Sequence, residues 1–290
     1  MIPALVALLL AGLMSASPRG DDAAAANLPG VKPHFSYDRK RPLDLRLSAT
    51  RTTDGIVRQA LTFDAGHGSK AAYWTHPQGA GPWPIVLFSP GSDGTVSSQL
   101  PDADRLAHEG IASLTVAPPS QLVTCRAAPD VRAFVQYVVG RRRALDVLPQ
   151  LPGADPTRVA GVGFSFGAAV TADLAGVDHR LRGAAIQSSR AHLSAPIGTF
   201  CTGRLGRKQL KAYVRAYSAL DPVHYVSHAA PVSLLFQNGR RDPISPAHDV
   251  NALVNAASKP KQLKWYDASH ELDDHARTDL DDWLVQLLHK

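Results

Sequence analysis

Residues 158–175, Arg158-Val159-Ala160-Gly161-Val162-Gly163-Phe164-Ser165-Phe166-Gly167-Ala168-Ala169-Val170-Thr171-Ala172-Asp173-Leu174-Ala175, decide the reading of this chain. The apolar run from Arg158 to Phe164 predicts a buried strand, and residues 166–175 have helix-forming composition. Between them lies Gly163-Phe164-Ser165-Phe166-Gly167, a G-x-S-x-G pattern at a strand-to-helix junction. Such a junction forces a tight turn that raises the serine above the sheet edge. Glycines are needed where the strand and helix backbones approach closely.

Outward from this turn, the chain alternates strand and helix. Continuous apolar runs at Ile85–Phe88, Ile111–Val116, Val159–Val162, Val232–Phe236 and Leu263–Tyr266 suit strands buried on both faces of a parallel sheet. Helical spacing occupies Val131–Leu151 and residues 166–175, 246–257 and 274–289. The N-terminal part differs. Leu43–Leu47, Arg58–Phe63 and Ala71–Trp74, joined by turns such as Ala65-Gly66-His67-Gly68, predict an antiparallel entry to the sheet. The expected fold class is therefore α/β, a mostly parallel central sheet with helices on both faces and an N-terminal antiparallel hairpin. About 40 residues, 189–229, contain no buried-strand run, and their helical spacing from Lys208 to Tyr217 predicts a lid insertion.

A serine hydroxyl is a weak nucleophile until a base takes its proton, and the base needs an orienting group. Both are expected after later strands. Asp242 follows Val232–Phe236 in Gly239-Arg240-Arg241-Asp242-Pro243, and His270 follows Leu263–Tyr266 in Asp267-Ala268-Ser269-His270-Glu271. The C-terminal ends of parallel strands share one crevice, so Ser165, Asp242 and His270 can converge there. His224, His228, His248 and His275 are competing bases, but only His270 directly follows a buried strand. Asp221 and Asp267 are the competing acids. The oxyanion donors expected are the backbone N–H of Phe166 and that of Ser92, the latter in Ser89-Pro90-Gly91-Ser92-Asp93-Gly94 after the first parallel strand.

In this order and spacing, Gly163–Gly167, Asp242-Pro243 and Ser269-His270-Glu271 resemble the α/β-hydrolase superfamily, nearest its dienelactone-hydrolase-like and acetyl-esterase-like branch. The resemblance covers roughly Leu43 to Lys290 and implies hydrolysis of a small-molecule carboxylic ester through an acyl-serine. Two positions depart from it. Many relatives carry His-Gly where this chain has Pro90-Gly91, and dienelactone hydrolases proper carry Cys where this chain has Ser165, which argues against a dienelactone substrate. A peptidase or lipase of the same fold, and a non-catalytic envelope or binding protein on a hydrolase scaffold, are the alternatives.

Composition bounds the rest. Of 290 residues, 44% are hydrophobic and 19% charged, enough for a full core, which excludes disordered and collagen-like classes. Two cysteines cannot build a disulfide scaffold or a thiolate cluster. Cys125 and Cys201 both fall near the expected catalytic edge, and in an oxidising compartment a bridge between them would tether the lid. Ile2–Met14 is apolar but shorter than the roughly 20 residues of a bilayer span. Small residues follow it, so residues 1–26 read as a signal peptide for secretion or periplasmic export, leaving 27–290 as one domain with no stable membrane insertion. The formal charge is +6, and loss of residues 1–26 removes one arginine and two aspartates. The positive charge gathers in Arg141-Arg142-Arg143 and at Arg204, Arg207, Lys208, Lys211 and Arg215, read as solvated helix faces. No nucleic-acid motif and no H-E-x-x-H spacing accompany it, so neither nucleic acid, metal nor cofactor is expected. The oligomeric state is left open.

Overall fold

The computed structural model describes residues 35–290. The signal-peptide reading, and residues 27–34 of the expected domain, lie outside the described residues. Three antiparallel strands, β1 (Arg46–Thr53), β2 (Ile56–Asp64) and β3 (Ser69–Pro77), lead into β4 (Trp83–Ser89), β5 (Ala112–Val116), β6 (Ala154–Phe164), β7 (Gly183–Gln187), β8 (Ser233–Gly239) and β9 (Lys261–Tyr266). They form one sheet of order β1-β2-β3-β5-β4-β6-β7-β8-β9. From β5 to β9 every pairing is parallel.

Alternation along each central strand explains the unbroken apolar runs, because both faces of the sheet are covered. Ile85 and Leu87 on β4, Ala184 and Ile186 on β7, and Leu234 and Phe236 on β8 join one core cluster. Val86, Phe88, Ala185 and Leu235, the residues between them, join another. The second face is closed by α1 (Leu100–His108) and α7 (Asp274–Leu288) through Ala103, Leu106, Trp283 and Leu284. The first is closed by α2 (Ala127–Val147), α3 (Phe166–Val177) and α6 (Ala247–Ala256). The expected α/β architecture with its antiparallel entry is borne out.

Three local readings need correction. Helix α1 carries Pro101 in its first turn and runs only nine residues, too short for its spacing to stand out in the sequence. The first strand is displaced: Leu43 and Leu45 pack against the core, while β1 continues through the polar stretch to Thr53 with all eight residues exposed. Backbone pairing with β2, not burial, holds it.

The third correction is the largest. Arg141, Arg142 and Arg143, read as a solvated face, are 1%, 0% and 1% exposed. Their chain positions on α2 aim each guanidinium at acceptors on a different element. Arg141 donates from Nε to Ser89 Oγ at 3.0 Å and from Nη2 to the Val116 carbonyl at 2.8 Å. Arg142 donates to the Phe35 carbonyl at 2.9 Å and pairs with Asp178 at 3.1 Å. Arg143 donates to the carbonyls of Asp64 and Pro42, at 3.1 and 2.8 Å. Carbonyl acceptors at strand ends are invisible to a reading of charge spacing, which is why the row was misplaced. Arg204, Arg207, Lys208, Lys211 and Arg215 in the insert, by contrast, are exposed.

That insert, between β7 and β8, holds α4 (Ser194–Phe200), α5 (Arg207–Tyr217) and three 3₁₀ turns at Ser218–Leu220, Pro222–His224 and Val226–His228. It is fastened rather than loose. Tyr213 on α5 donates to Asp130 on α2 at 2.7 Å, Tyr217 meets Phe134 edge-on at 5.9 Å, and a disulfide joins Cys125 to Cys201.

Two outcomes follow from these contacts. Burial alone would raise the Asp178 carboxyl, but the hydrogen bonds and charges of Arg180 and Arg142 outweigh it and hold it below the ordinary carboxylate range. A folded-state value below the unfolded one gives stabilisation that is complete above about pH 4 and is lost as pH falls through the lowered value. Asp178→Ala removes the carboxylate that pairs with the buried Arg142 guanidinium and costs about 3–5 kcal/mol at pH 7. Urea unfolding at pH 7 and pH 3 checks this, the gap from wild type narrowing at pH 3. Reduction of the disulfide, whose cysteines stand 76 residues apart, lowers stability in the same assay by about 4 kcal/mol on the chain-entropy model.

Candidate active site

The β6–α3 turn places Ser165 at φ 53° and ψ −118°, a backbone region that non-glycine residues rarely occupy. Its neighbours explain why the strain persists. A Cβ on Gly163 would lie 2.3 Å from the Gly167 carbonyl oxygen, and one on Gly167 would lie 1.9 Å from the Ser89 carbonyl oxygen. Only glycine fits at either place, so the turn is pinned between its own helix and the end of β4. The Ser165 N–H donates to the Gln187 carbonyl on β7 at 2.9 Å, fixing the third side.

His270 and Asp242 come to this turn from the loops after β9 and β8. His270 Nε2 lies 2.8 Å from Ser165 Oγ, and His270 Nδ1 lies 2.8 Å from Asp242 Oδ2. An ionised carboxylate only accepts, so Nδ1 carries the proton and Nε2 is left to accept from the serine hydroxyl. The Asp242 side chain is fully shielded, which by itself would raise its carboxyl. The His270 hydrogen bond and the N–H groups of Ile244 and Ser245, at 2.7 and 3.1 Å, more than offset this and hold it below the ordinary range. Asp242 is therefore ionised at neutral pH.

The competing acids are engaged elsewhere. Asp221 accepts from the Ser194 N–H and hydroxyl, both at 2.8 Å, inside the insert. Asp267 is exposed and pairs with Arg241.

Ser92 and Phe166 line the same cavity as Ser165. Phe166 is the first residue of α3, where helix N–H groups lack intrahelical partners and the helix dipole is positive. The Ser92 loop is held from below: Tyr137 on α2 donates to the Pro90 carbonyl at 2.7 Å, beside the Arg141 bond to Ser89. A Cβ on Gly91 would stand 3.6 Å from Ser165 Cβ, so this loop runs directly against the serine.

Sequence reasoning missed Ser188. It follows β7 at φ 53°, is 2% exposed, and ties the two loops together. Its hydroxyl donates to the His270 carbonyl at 2.6 Å, its N–H donates to the Gln237 carbonyl at 2.8 Å, and its own carbonyl accepts from Ser245 Oγ at 3.1 Å. No motif marks it; its end-of-strand position is the one available signal. Arg190, also missed, donates to Asp249 and to the Ile244 carbonyl, both at 2.5 Å. Among the described residues, no group of His, Cys, Asp and Glu side chains is arranged to hold a metal ion.

This arrangement can move a proton from a serine hydroxyl to an oriented imidazole. Two acetyl xylan esterases, from Paenibacillus sp. R4 and from Thermoanaerobacterium sp. JW/SL YS485, share the fold. Both superpose with a TM-score of 0.76, the first at 17% identity covering 92% of each chain, the second at 16% covering 93% of this chain and 94% of the other. In sequence, the chain is 28% identical over 258 residues to "Esterase FrsA" of Salmonella schwarzengrund (strain CVM19633), covering 81% of this chain and 60% of that one. "Esterase FrsA" of Escherichia coli O157:H7 is 26% identical over 260 residues, covering 83% of this chain. The chain thus spans about 60% of the length of these curated relatives. The family model described as "Esterase FrsA-like" matches residues 46–288, the whole described sheet and its helices. With its strand order, its Ser165 turn and this match together, the chain belongs to the FrsA-like esterases of the α/β-hydrolase fold.

Proposed function

We propose that the protein hydrolyses carboxylic esters through an acyl-serine intermediate. The observation that carries this reading is the unbroken chain Asp242–His270–Ser165, with both contacts at 2.8 Å. Ser165 Oγ attacks the ester carbonyl carbon as its proton passes to His270 Nε2. The carbonyl π electrons move to oxygen, and the N–H groups of Phe166 and Ser92 stabilise that oxyanion. Asp242 stabilises the imidazolium from the other side. Collapse of the intermediate breaks the bond to the alcohol oxygen, which leaves with the proton from His270. Water then repeats the sequence on the acyl-serine, His270 acting first as base and then as acid, and releases the carboxylic acid.

The insert of residues 189–229 acts in this reading as a lid over the serine, within the single domain 27–290. The short apolar leader and the disulfide together support export to an oxidising compartment. Among the described residues, no helix is long and apolar enough to cross a membrane.

Ser165→Ala lowers kcat/KM for p-nitrophenyl acetate by about 10⁴-fold or more, with an unchanged circular dichroism spectrum. Asp242→Asn, which favours the wrong imidazole tautomer, lowers kcat by about 10⁴-fold. A fluorophosphonate labels the wild type at Ser165 and leaves Ser165→Ala unlabelled. Full activity in the alanine variant refutes the mechanism, and no labelling of the wild type favours a non-catalytic scaffold.

A further inference from the structure

A cavity of about 600 Å³ opens over Ser165, between the loop 120–124 and helix α4. Its walls hold polar residues, and several of these are already engaged. Thr124 donates its N–H and hydroxyl to Asp130, Ser188 bonds the His270 carbonyl, Ser245 bonds the Ser188 carbonyl, and Arg190 is held by Asp249. The apolar part of the lining includes Leu122, Val123, Leu193, Ile197, Phe200 and Ile244.

Two of these are conspicuous. Among the described residues, three large apolar side chains are exposed: Leu47 at 40%, Phe200 at 55% and Ile244 at 45%. Phe200 and Ile244 both stand on this cavity. Each is held in place, Phe200 by the Arg204 guanidinium 4.4 Å above its ring, Ile244 by the Arg190 bond to its carbonyl. Exposed apolar surface maintained at a site next to a nucleophile marks the place an apolar ligand covers. The two walls are also joined, since Cys125 directly follows Thr124 and Cys201 directly follows Phe200. The cavity is thus pre-formed rather than assembled on binding.

Geometry also says which half of the ester enters it. The departing alcohol takes its proton from His270, so it lies on the histidine side of Ser165. The cavity wall includes Ser165, Ser92 and Phe166 but not His270. Resting on the ester-hydrolysis reading above, we propose that this cavity is an acyl-binding site, selecting esters of medium-length, uncharged, apolar carboxylic acids over acetate. The Arg190 charge is neutralised by Asp249, so the lining residues themselves offer an anionic acyl group no unpaired cation.

The test is the ratio of kcat/KM for p-nitrophenyl hexanoate to that for p-nitrophenyl acetate. Each buried methylene contributes about fourfold, so the wild-type ratio exceeds ten. The double variant Phe200→Ser, Ile244→Ser lowers that ratio about tenfold, and both positions are exposed enough for the fold to accept the change. Leu47→Ser, on the distant edge strand β1, leaves the ratio unchanged. A series of alkyl acetates from ethyl to hexyl stays nearly flat. Hydrolysis of acetate with a ratio near one, a ratio unmoved by the double variant, or a steep gain along the alkyl acetates instead overturns the acyl-site proposal while ester hydrolysis stands. No hydrolysis of any ester, with no fluorophosphonate labelling of Ser165, overturns ester hydrolysis and the acyl site together.

Discussion

Three backbones meet at the Ser165 turn with no room for a single added carbon. The end of β6, the first turn of α3 and the end of β4 approach until a Cβ at Gly167 would overlap the Ser89 carbonyl and a Cβ at Gly163 would overlap Gly167 itself. The rest of the site is referred to this contact. It sets the height of Ser165 above the sheet, brings the Ser92 loop alongside it, and starts α3 at Phe166, which lines the same cavity. A backbone conformation costing about 1–3 kcal/mol is retained because every alternative would have to push two packed elements apart.

Around that fixed point, two sets of polar contacts hold the loops. Arg141 and Tyr137 reach from α2 to the ends of β4 and β5, so the Ser92 loop is supported by buried side chains. On the opposite side, Ser188 and Ser245 connect the histidine loop to the aspartate loop through backbone carbonyls. Deeper still, Gln187, Gln237, Tyr266 and Asp279 form a continuous hydrogen-bonded line from β7 through β8 and β9 to α7. Loops are ordinarily the mobile part of a fold. Here they are tied to the sheet by groups that would be costly to leave unpaired.

The parts legible in the sequence are those written in local pattern. Continuous apolar runs marked the parallel strands, and the Gly163–Gly167 pattern, with Asp242 and His270 after later strands, marked residues that the fold brings within hydrogen-bonding distance. What escaped depends on partners far away in the chain. Arg141–Arg143 read as solvent-facing because the carbonyls of Phe35, Pro42, Asp64 and Val116 that receive them leave no trace in composition. Ser188 has no sequence signature, since its role is set by what β8 and β9 place beside it. Helix α1 was hidden by its brevity and its early proline.

The disulfide has a topological meaning besides its effect on stability. The loop it closes, from Cys125 to Cys201, contains α2, β6, Ser165, α3 and β7, whereas Asp242 and His270 lie outside it. A protease that cuts once anywhere inside that loop produces two pieces that remain one covalent molecule, with Ser165 still attached to the half bearing its acid and base. A cut after Cys201 has no such safeguard, so the exposed stretch from Thr202 to Arg204 is where a single cleavage would part nucleophile from histidine.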